Sequence, residues 1–240
     1  MTVTSRISLI TGANKGIGYE AARRLGELGA IVLVGARDRT RGEVAVKTLR
    51  DGGADAHLVQ LDVTDPDSVS AAARHVDERY GHLDILVNNA GINVEWPAAQ
   101  PSEVSLDALR TTFETNVCGL VAVTNAFLPL LRRSPAGRIV NVSSEMGLPA
   151  WLAGSEMPAI TGYSVSKAAV NMLTVLYANE LRGTPVKVNA CSPGFVATDI
   201  NHGVGVLTAA EGSAVEVRVA TLDADGPSGV FINDGGTVPW

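Results

Sequence analysis

Residues 7–18 read Ile7-Ser8-Leu9-Ile10-Thr11-Gly12-Ala13-Asn14-Lys15-Gly16-Ile17-Gly18, and an Ala- and Leu-rich stretch runs on to Leu28. A short apolar run, a turn with three glycines and a helical pattern make a strand–turn–helix unit. Glycine is needed where the chain turns tightly and where a pyrophosphate must approach the backbone. The helix N-terminus behind such a turn offers free N–H groups and a positive dipole end to phosphates. The competing reading is a strand–helix turn that merely happens to be rich in glycine. The spacing here is G-x-x-x-G-x-G, not the G-x-G-x-x-G of the common dinucleotide fingerprint.

The same alternation continues outward from this unit. Short β-rich runs fall at Ile7–Ile10, Ile31–Val34, His57–Leu61, Ile85–Val87, Ile139–Val142, Val186–Val188 and Val230–Ile232. Helical patterns lie between them, at Gly18–Leu28, Ser68–Tyr80, Ser105–Leu131 and Ser164–Leu181. Strand–helix alternation with short loops predicts βαβ units, and near-continuous apolar strands predict a parallel sheet covered on both faces. The expectation is an α/β, single-domain, doubly wound Rossmann fold: a seven-stranded parallel sheet with helices on both faces, occupying residues 1–240. No linker, repeat or low-complexity tract leaves room for a second domain.

Composition narrows the function. Of 240 residues 46% are apolar, and 25 acidic against 19 basic side chains give a net charge of −6. That balance argues against a broad nucleic-acid surface, since nothing offsets phosphate repulsion. No continuous apolar run reaches the ~18 residues of a spanning helix, so no membrane segment is expected. The first six residues lack a signal peptide's apolar region, and the two cysteines, Cys118 and Cys191, form no CxxC pair. A reduced cytoplasmic setting is the default. His57, His75 and His82 have no metal-ligand spacing, so no metal is expected.

Six motifs in order carry a family resemblance. They are Thr11-Gly12-x-x-x-Gly16-x-Gly18, Asn88-Asn89-Ala90-Gly91, Asn116 within a helix, Asn141-Val142-Ser143-Ser144, Tyr163-x-x-x-Lys167, and Pro193-Gly194 with Thr198-Asp199. Together they resemble the short-chain dehydrogenase/reductase family over almost the whole chain, and Asn14-Lys15 with Ala36-Arg37-Asp38 look most like its carbonyl reductases. The resemblance implies a catalytic set of Asn116, Ser144, Tyr163 and Lys167. It implies NADP(H) as cofactor, held by Gly12, Asn14, Lys15, Gly16, Ile17 and Gly18 in the first turn and by Arg37 after the second strand. Asp62 and Val63 follow the third strand, Asn89, Ala90 and Gly91 the fourth, and Pro193, Gly194, Val196 and Thr198 the sixth; Tyr163 and Lys167 complete the set.

Tyr163 and Lys167 are four apart and share one helix face. A free tyrosine has a pKa near ~10, and a neighbouring ammonium is expected to lower it. By resemblance, Tyr163 protonates a carbonyl oxygen, Lys167 holds the nicotinamide ribose, Ser144 bonds the same oxygen, and Asn116 holds a water that links Lys167 to solvent. Adjacent strand residues face opposite ways, so only one of Ser143 and Ser144 meets the pocket. The family's spacing to Glu145-Met146-Gly147 favours Ser144. Taken alone, the Tyr/Lys pair is also what any surface helix carries.

Ser144 and Tyr163 are 19 positions apart, more than most family members show. The extra residues, within Gly147–Gly162, bring Leu148, Trp151, Leu152, Met157 and Ile160 beside the site, either as an apolar substrate wall or as packing against a helix or a second subunit. The expected pocket comprises Trp96, Ser144, Trp151, Tyr163 and Phe195, with Phe195–Leu207 as a lid and Thr208-Ala209-Ala210-Glu211 opening a helix. The segment Phe195–Val217 contains no Lys or Arg, which disfavours acyl-carrier or other strongly anionic substrates. His202 in it reads as solvated. Asp38 is a candidate ribose ligand for NAD, but Ala36 stands where NAD-type members are acidic, and Arg37 follows it. The resulting expectation is NADPH-dependent reduction of a small apolar ketone or aldehyde. The alternatives are an NAD-dependent alcohol dehydrogenase and a catalytically silent dinucleotide sensor. A homodimer or homotetramer is possible, and a monomer is not excluded.

Overall fold

Along each strand the side chains alternate between two cores, and this fixes the layering. The computed structural model describes residues 5–95, 100–153, 155–156 and 160–240. The strands are β1 (Ile7–Thr11), β2 (Ile31–Ala36), β3 (Ala56–Gln60), β4 (Ile85–Asn88), β5 (Arg138–Val142), β6 (Lys187–Cys191), β7 (Phe231–Asn233) and β8 (Gly236–Val238). The helices are α1 (Gly16–Glu27), α2 (Arg39–Asp51), α3 (Pro66–Tyr80), α4 (Leu106–Phe113), α5 (Gly119–Leu131), α6 (Pro149–Leu152), α7 (Thr161–Glu180) and α8 (Ala209–Ala220). Ile10, Val34, Val87 and Val140 face α1, α2 and α8, packing on Leu25, Leu49 and Val219. Their neighbours Leu9, Leu33, Leu86 and Ile139 face α3, α5 and α7, packing on Val76, Phe127 and Val170. Each such side chain contributes about 1.5–3 kcal/mol by leaving water.

The strands form one sheet in the order β3-β2-β1-β4-β5-β6-β7-β8. All pairings through β7 are parallel, and β7–β8 is antiparallel. The sheet therefore has eight strands where the sequence predicts seven. The extra one is three residues long and follows a tight turn that Gly236, at φ 116°, completes; it has no apolar run to announce it. The strand order reverses between β1 and β4. In such sheets the crevice outside the strands' carboxyl ends at that point is where ligands bind.

The predicted helix Ser105–Leu131 is continuous but not uniform. Between α4 and α5 the turn Glu114–Cys118 winds as a π-helix, and it contains Asn116. By length and composition Leu106–Leu131 is apolar enough to cross a membrane, contrary to the sequence expectation. That expectation rested on an unbroken run, and Glu114, Asn116 and Asn125 interrupt it. The apolarity has a use inside the molecule: Leu120, Val123, Phe127 and Leu130 belong to the core against α3 and α7.

Candidate active site

The first turn is shaped by its glycines. Gly12 and Gly16 hold φ of 66° and 59°, which disfavour any side chain. Gly18 is required for space, because a Cβ there would lie 2.4 Å from the Asn89 side-chain nitrogen. Asn89 donates that amide to the Thr11 carbonyl at 2.7 Å, and Thr11 Oγ1 accepts from the backbone N–H groups of Asn89 and Ala90 at 3.0 and 2.9 Å. The glycine turn and the loop after β4 are thus one stitched surface. The α1 N-terminus carries neither a side-chain cap nor an acidic residue in its first turn. Those features fit a pyrophosphate: positive-φ glycines, a close-approach glycine, and unclaimed helix donors.

The flanking residues are placed as follows. Ala36 ends β2 fully buried, and Arg37 is exposed, with its Nε 3.9 Å from Asp62. Asp38 caps α2, accepting from Arg41 N at 2.9 Å, so its carboxylate is committed locally. Lys15 forms an exposed ion pair with Asp199 of the lid, an interaction worth little in water. Asp62 accepts from Thr64 N and Oγ1 at 3.0 and 2.7 Å. Val63 packs on Gly119, where a Cβ would meet it at 2.8 Å.

Three elements bring the proposed catalytic groups together. Ser144, just beyond β5, and Tyr163, on α7, share a side-chain hydrogen bond. Lys167 Nζ lies 5.5 Å from the Tyr163 ring centroid and donates to the Val142 carbonyl at 2.8 Å. A Cβ on Gly91 would lie 3.6 Å from that ammonium and 3.4 Å from Asn116 Oδ1, so the loop after β4 closes on the same point. Asn116 accepts from Ile92 N at 2.8 Å and donates to the Ile92 carbonyl and Ser166 Oγ at 2.9 and 3.0 Å. Ser143 turns away, its Oγ donating to Asn171 Oδ1 at 2.6 Å. The two serines thus face opposite ways, as strand alternation requires, with Ser144, which the family's spacing favoured, on the side of Tyr163.

The electrostatics depart from the sequence reading. Burial pushes the Tyr163 phenol up to about 12; the hydrogen bond with Ser144 opposes this, and Glu145 adds to it. The expected lowering by Lys167 does not prevail, because burial also pulls the lysine itself down to about 8, against the attraction of Cys191 and Glu216. Low dielectric penalises both charged forms, so the pair sits as a neutral phenol beside a weakened ammonium.

The pocket residues divide. Trp151 on α6 and Phe195 on the lid are both more than two-fifths exposed, so neither is buried in the core. Trp96 lies outside the described residues, as does Met157. In the insert, Leu148 is buried against Ala190 and Phe231. Gly194, just before the lid, has φ 82°; on the lid, Val196 is buried and bridges Leu207, and Thr198 caps the turn Asp199–Asn201. His202 closes that turn at φ 55°. Among the described residues no group of His, Cys, Asp or Glu could hold a metal.

Sequence reasoning missed three carboxylates. Glu145 accepts from Ser192 Oγ and from Asn233 Nδ2, tying the end of β5 to the loops after β6 and β7. Glu95 accepts two backbone N–H groups at the start of α7. Glu216 is wholly buried on α8 with neither oxygen hydrogen-bonded. Glu145 was quoted only for its spacing to Ser144, and Glu95 belongs to no motif; the one available signal was Glu216, acidic within the apolar pattern Ala214-Val215-Glu216-Val217.

Comparison with known proteins agrees with this geometry. The sequence model for short chain dehydrogenases matches residues 6–206. The short-chain dehydrogenase anuI of Penicillium roqueforti is 40% identical over 91% of this chain and 90% of its own length. Carbonyl reductase [NADPH] 1 of Sus scrofa is 32% identical over 100% of this chain and 96% of its own length. The NADPH-bound carbonyl reductase from chicken fatty liver superposes with a TM-score of 0.86 at 29% identity, covering 99% of this chain and 100% of that one. With its glycine turn, its stitched β4 loop and its Ser144, Tyr163 and Lys167 cluster, the chain belongs to the short-chain dehydrogenase/reductase family.

Proposed function

We propose that this protein reduces a small apolar ketone or aldehyde to the alcohol with NADPH, its whole length serving as one dinucleotide-binding and catalytic unit. The observation that carries the reading is the meeting of Ser144, Tyr163 and Lys167 at the edge of a surface shaped for a pyrophosphate: Lys167 Nζ lies 5.5 Å from the Tyr163 ring centroid, and a Cβ on Gly91 of the loop after β4 would lie 3.6 Å from that Nζ. NADPH, when bound, supplies the hydride. Tyr163 then gives its proton to the carbonyl oxygen. Ser144 donates to the same oxygen and stabilises the charge that develops there. Lys167, charged below about pH 8, holds the ribose and favours the phenolate left behind. Asn116 spends both amide hydrogens within the protein, and its Oδ1 accepts one bond, from Ile92 N, which leaves one lone pair for the relay water.

The choice of NADPH rests on Ala36, Arg37 and Asp38. No carboxylate stands at the end of β2, Asp38 is spent as a helix cap, and Arg37 is exposed with one long ion pair. A guanidinium in that position can hold a 2′-phosphate by two bonds. The NADPH-bound carbonyl reductase neighbour and the NADPH-named relatives support the same choice. The test is a turnover screen of ketones and aldehydes with NADPH and NADH in parallel. Reduction of apolar carbonyls with NADPH preferred is the expected outcome; no turnover with either cofactor, or preference for NADH, overturns the assignment.

A further inference from the structure

The helix that carries Tyr163 begins without a cap of its own. Four N–H groups at a helix start lack intrahelical partners, and the residue that should serve them, Ile160, is apolar and offers no side-chain acceptor. The acceptor comes from 67 residues earlier in the chain. Glu95 Oε2 accepts from Gly162 N at 2.6 Å and from Tyr163 N at 3.1 Å. The carboxylate is 8% exposed, and its own backbone is braced by Asn93 Oδ1, which accepts from Glu95 N at 3.0 Å. Gly162 makes room for it: a Cβ there would come within 2.8 Å of Oε2. The same short loop is bonded at its other end, through Ile92, to Asn116.

We propose that Glu95 is a positioning residue, which fixes the height and rotation of Tyr163 over Ser144 by capping the first turn of α7 from the loop after β4. The proposal rests on Tyr163 acting as proton donor. The physical argument is that one oxygen holds the backbone of the reacting residue itself. A carboxylate at the positive end of a helix gains from the dipole as well as from two charge-assisted hydrogen bonds. The insert is tied to the middle of α7, where Asn171 donates to the Gly147 carbonyl at 3.1 Å, but Ile160 offers the first turn no side-chain acceptor. Release of Glu95 therefore frees the first turn to shift relative to β5, and a misplacement of about 1 Å can cost ~100-fold in rate.

The test compares Glu95→Ala, Glu95→Gln and Gly162→Ala with the wild type. In Glu95→Ala, kcat should fall ten- to a hundredfold (roughly the scale of such misplacements) while the Kd for NADPH stays within about twofold. Glu95→Gln should restore most of kcat, because its amide oxygen still accepts both N–H groups. Gly162→Ala should imitate Glu95→Ala, because its methyl displaces the carboxylate. A Glu95→Ala protein with a lowered Tm but normal kcat would reduce Glu95 to a structural cap and overturn the proposal. Hydrogen exchange at the Gly162 and Tyr163 amides gives a reading independent of turnover. Protection should be lost in Glu95→Ala, and unchanged protection also overturns the proposal. If the wild type reduces no carbonyl, the proposed function fails, and the exchange result still decides whether Glu95 holds this turn.

Discussion

At the scale of single residues, the proposed reaction depends on the phenol of Tyr163, which burial holds in its protonated form. Replacing Tyr163 with Phe removes the proton and keeps the ring, so fold and NADPH affinity should persist. The rate should fall by about 10²–10⁴-fold, the usual worth of general acid catalysis. Stopped-flow hydride transfer in that variant checks this, and near-normal turnover would remove Tyr163 from the donor role. Arg37 and Lys15 bear on cofactor choice in different ways. Arg37 is exposed and only loosely tied to Asp62, whereas Lys15 already has Asp199 as a partner. Arg37→Ala should therefore raise the KM for NADPH severalfold with little change for NADH, and the loss should shrink as salt rises. Lys15→Ala should do the same to a lesser degree. Equal losses with both cofactors would mean that neither cation reads the 2′-phosphate.

At the scale of elements, the strands and the glycine turn were legible because their chemistry is local. Apolar runs three to five residues long, and glycines where φ is positive or space is short, need no distant partner to be recognised. The two-residue strand period showed that only one of Ser143 and Ser144 meets the pocket, and the choice of Ser144 came from the family's spacing. Contacts that span the chain could not be read this way. Glu95 and Gly162 are 67 positions apart, and nothing near either one shows that they meet. The π turn around Asn116 was equally hidden, since its composition differs little from an ordinary helix turn. A buried ladder behind the site is partly visible in the motifs. Asn88 donates to Asn141 Oδ1 at 2.9 Å and to Thr124 Oγ1 at 3.0 Å, and Asn141 donates to Thr174 Oγ1 at 2.9 Å. The asparagines were quoted as motif letters, but the threonines that complete the ladder from α5 and α7 were not. Asn141→Ala strands polar groups on both neighbours, and unsatisfied buried groups cost about 1–3 kcal/mol each. Chemical denaturation should show a loss of that order.

At the scale of the whole molecule, the site is bought with buried charge, and pH should reveal it. Glu216 on α8 and Lys167 on α7 belong to opposite layers of the sheet, with Cys191 of β6 electrostatically linked to both. Burial pushes Glu216 up to about 8 from 4.5, although Lys167 pulls it back. Below pH 4.5 the carboxyl is protonated in the folded and unfolded chains alike, and it exerts no pH-dependent pull. Between about 4.5 and 8 the unfolded chain releases this proton while the folded one retains it, so stability falls as pH rises. Lys167 works in the opposite direction over the next interval. Its folded value is lowered to about 8 from 10.5, so between these pH values the folded chain has shed a proton that the unfolded chain keeps, and stability recovers. The two groups together place a dip in stability near pH 8. Glu216→Gln removes the falling arm and leaves the rising one. Thermal unfolding from pH 5 to 8 should therefore show the wild type losing Tm relative to Glu216→Gln as pH increases, whatever constant offset the buried amide introduces. Parallel curves across that range would mean that Glu216 is already ionised in the folded protein, paired in a way that its two unbonded oxygens do not suggest.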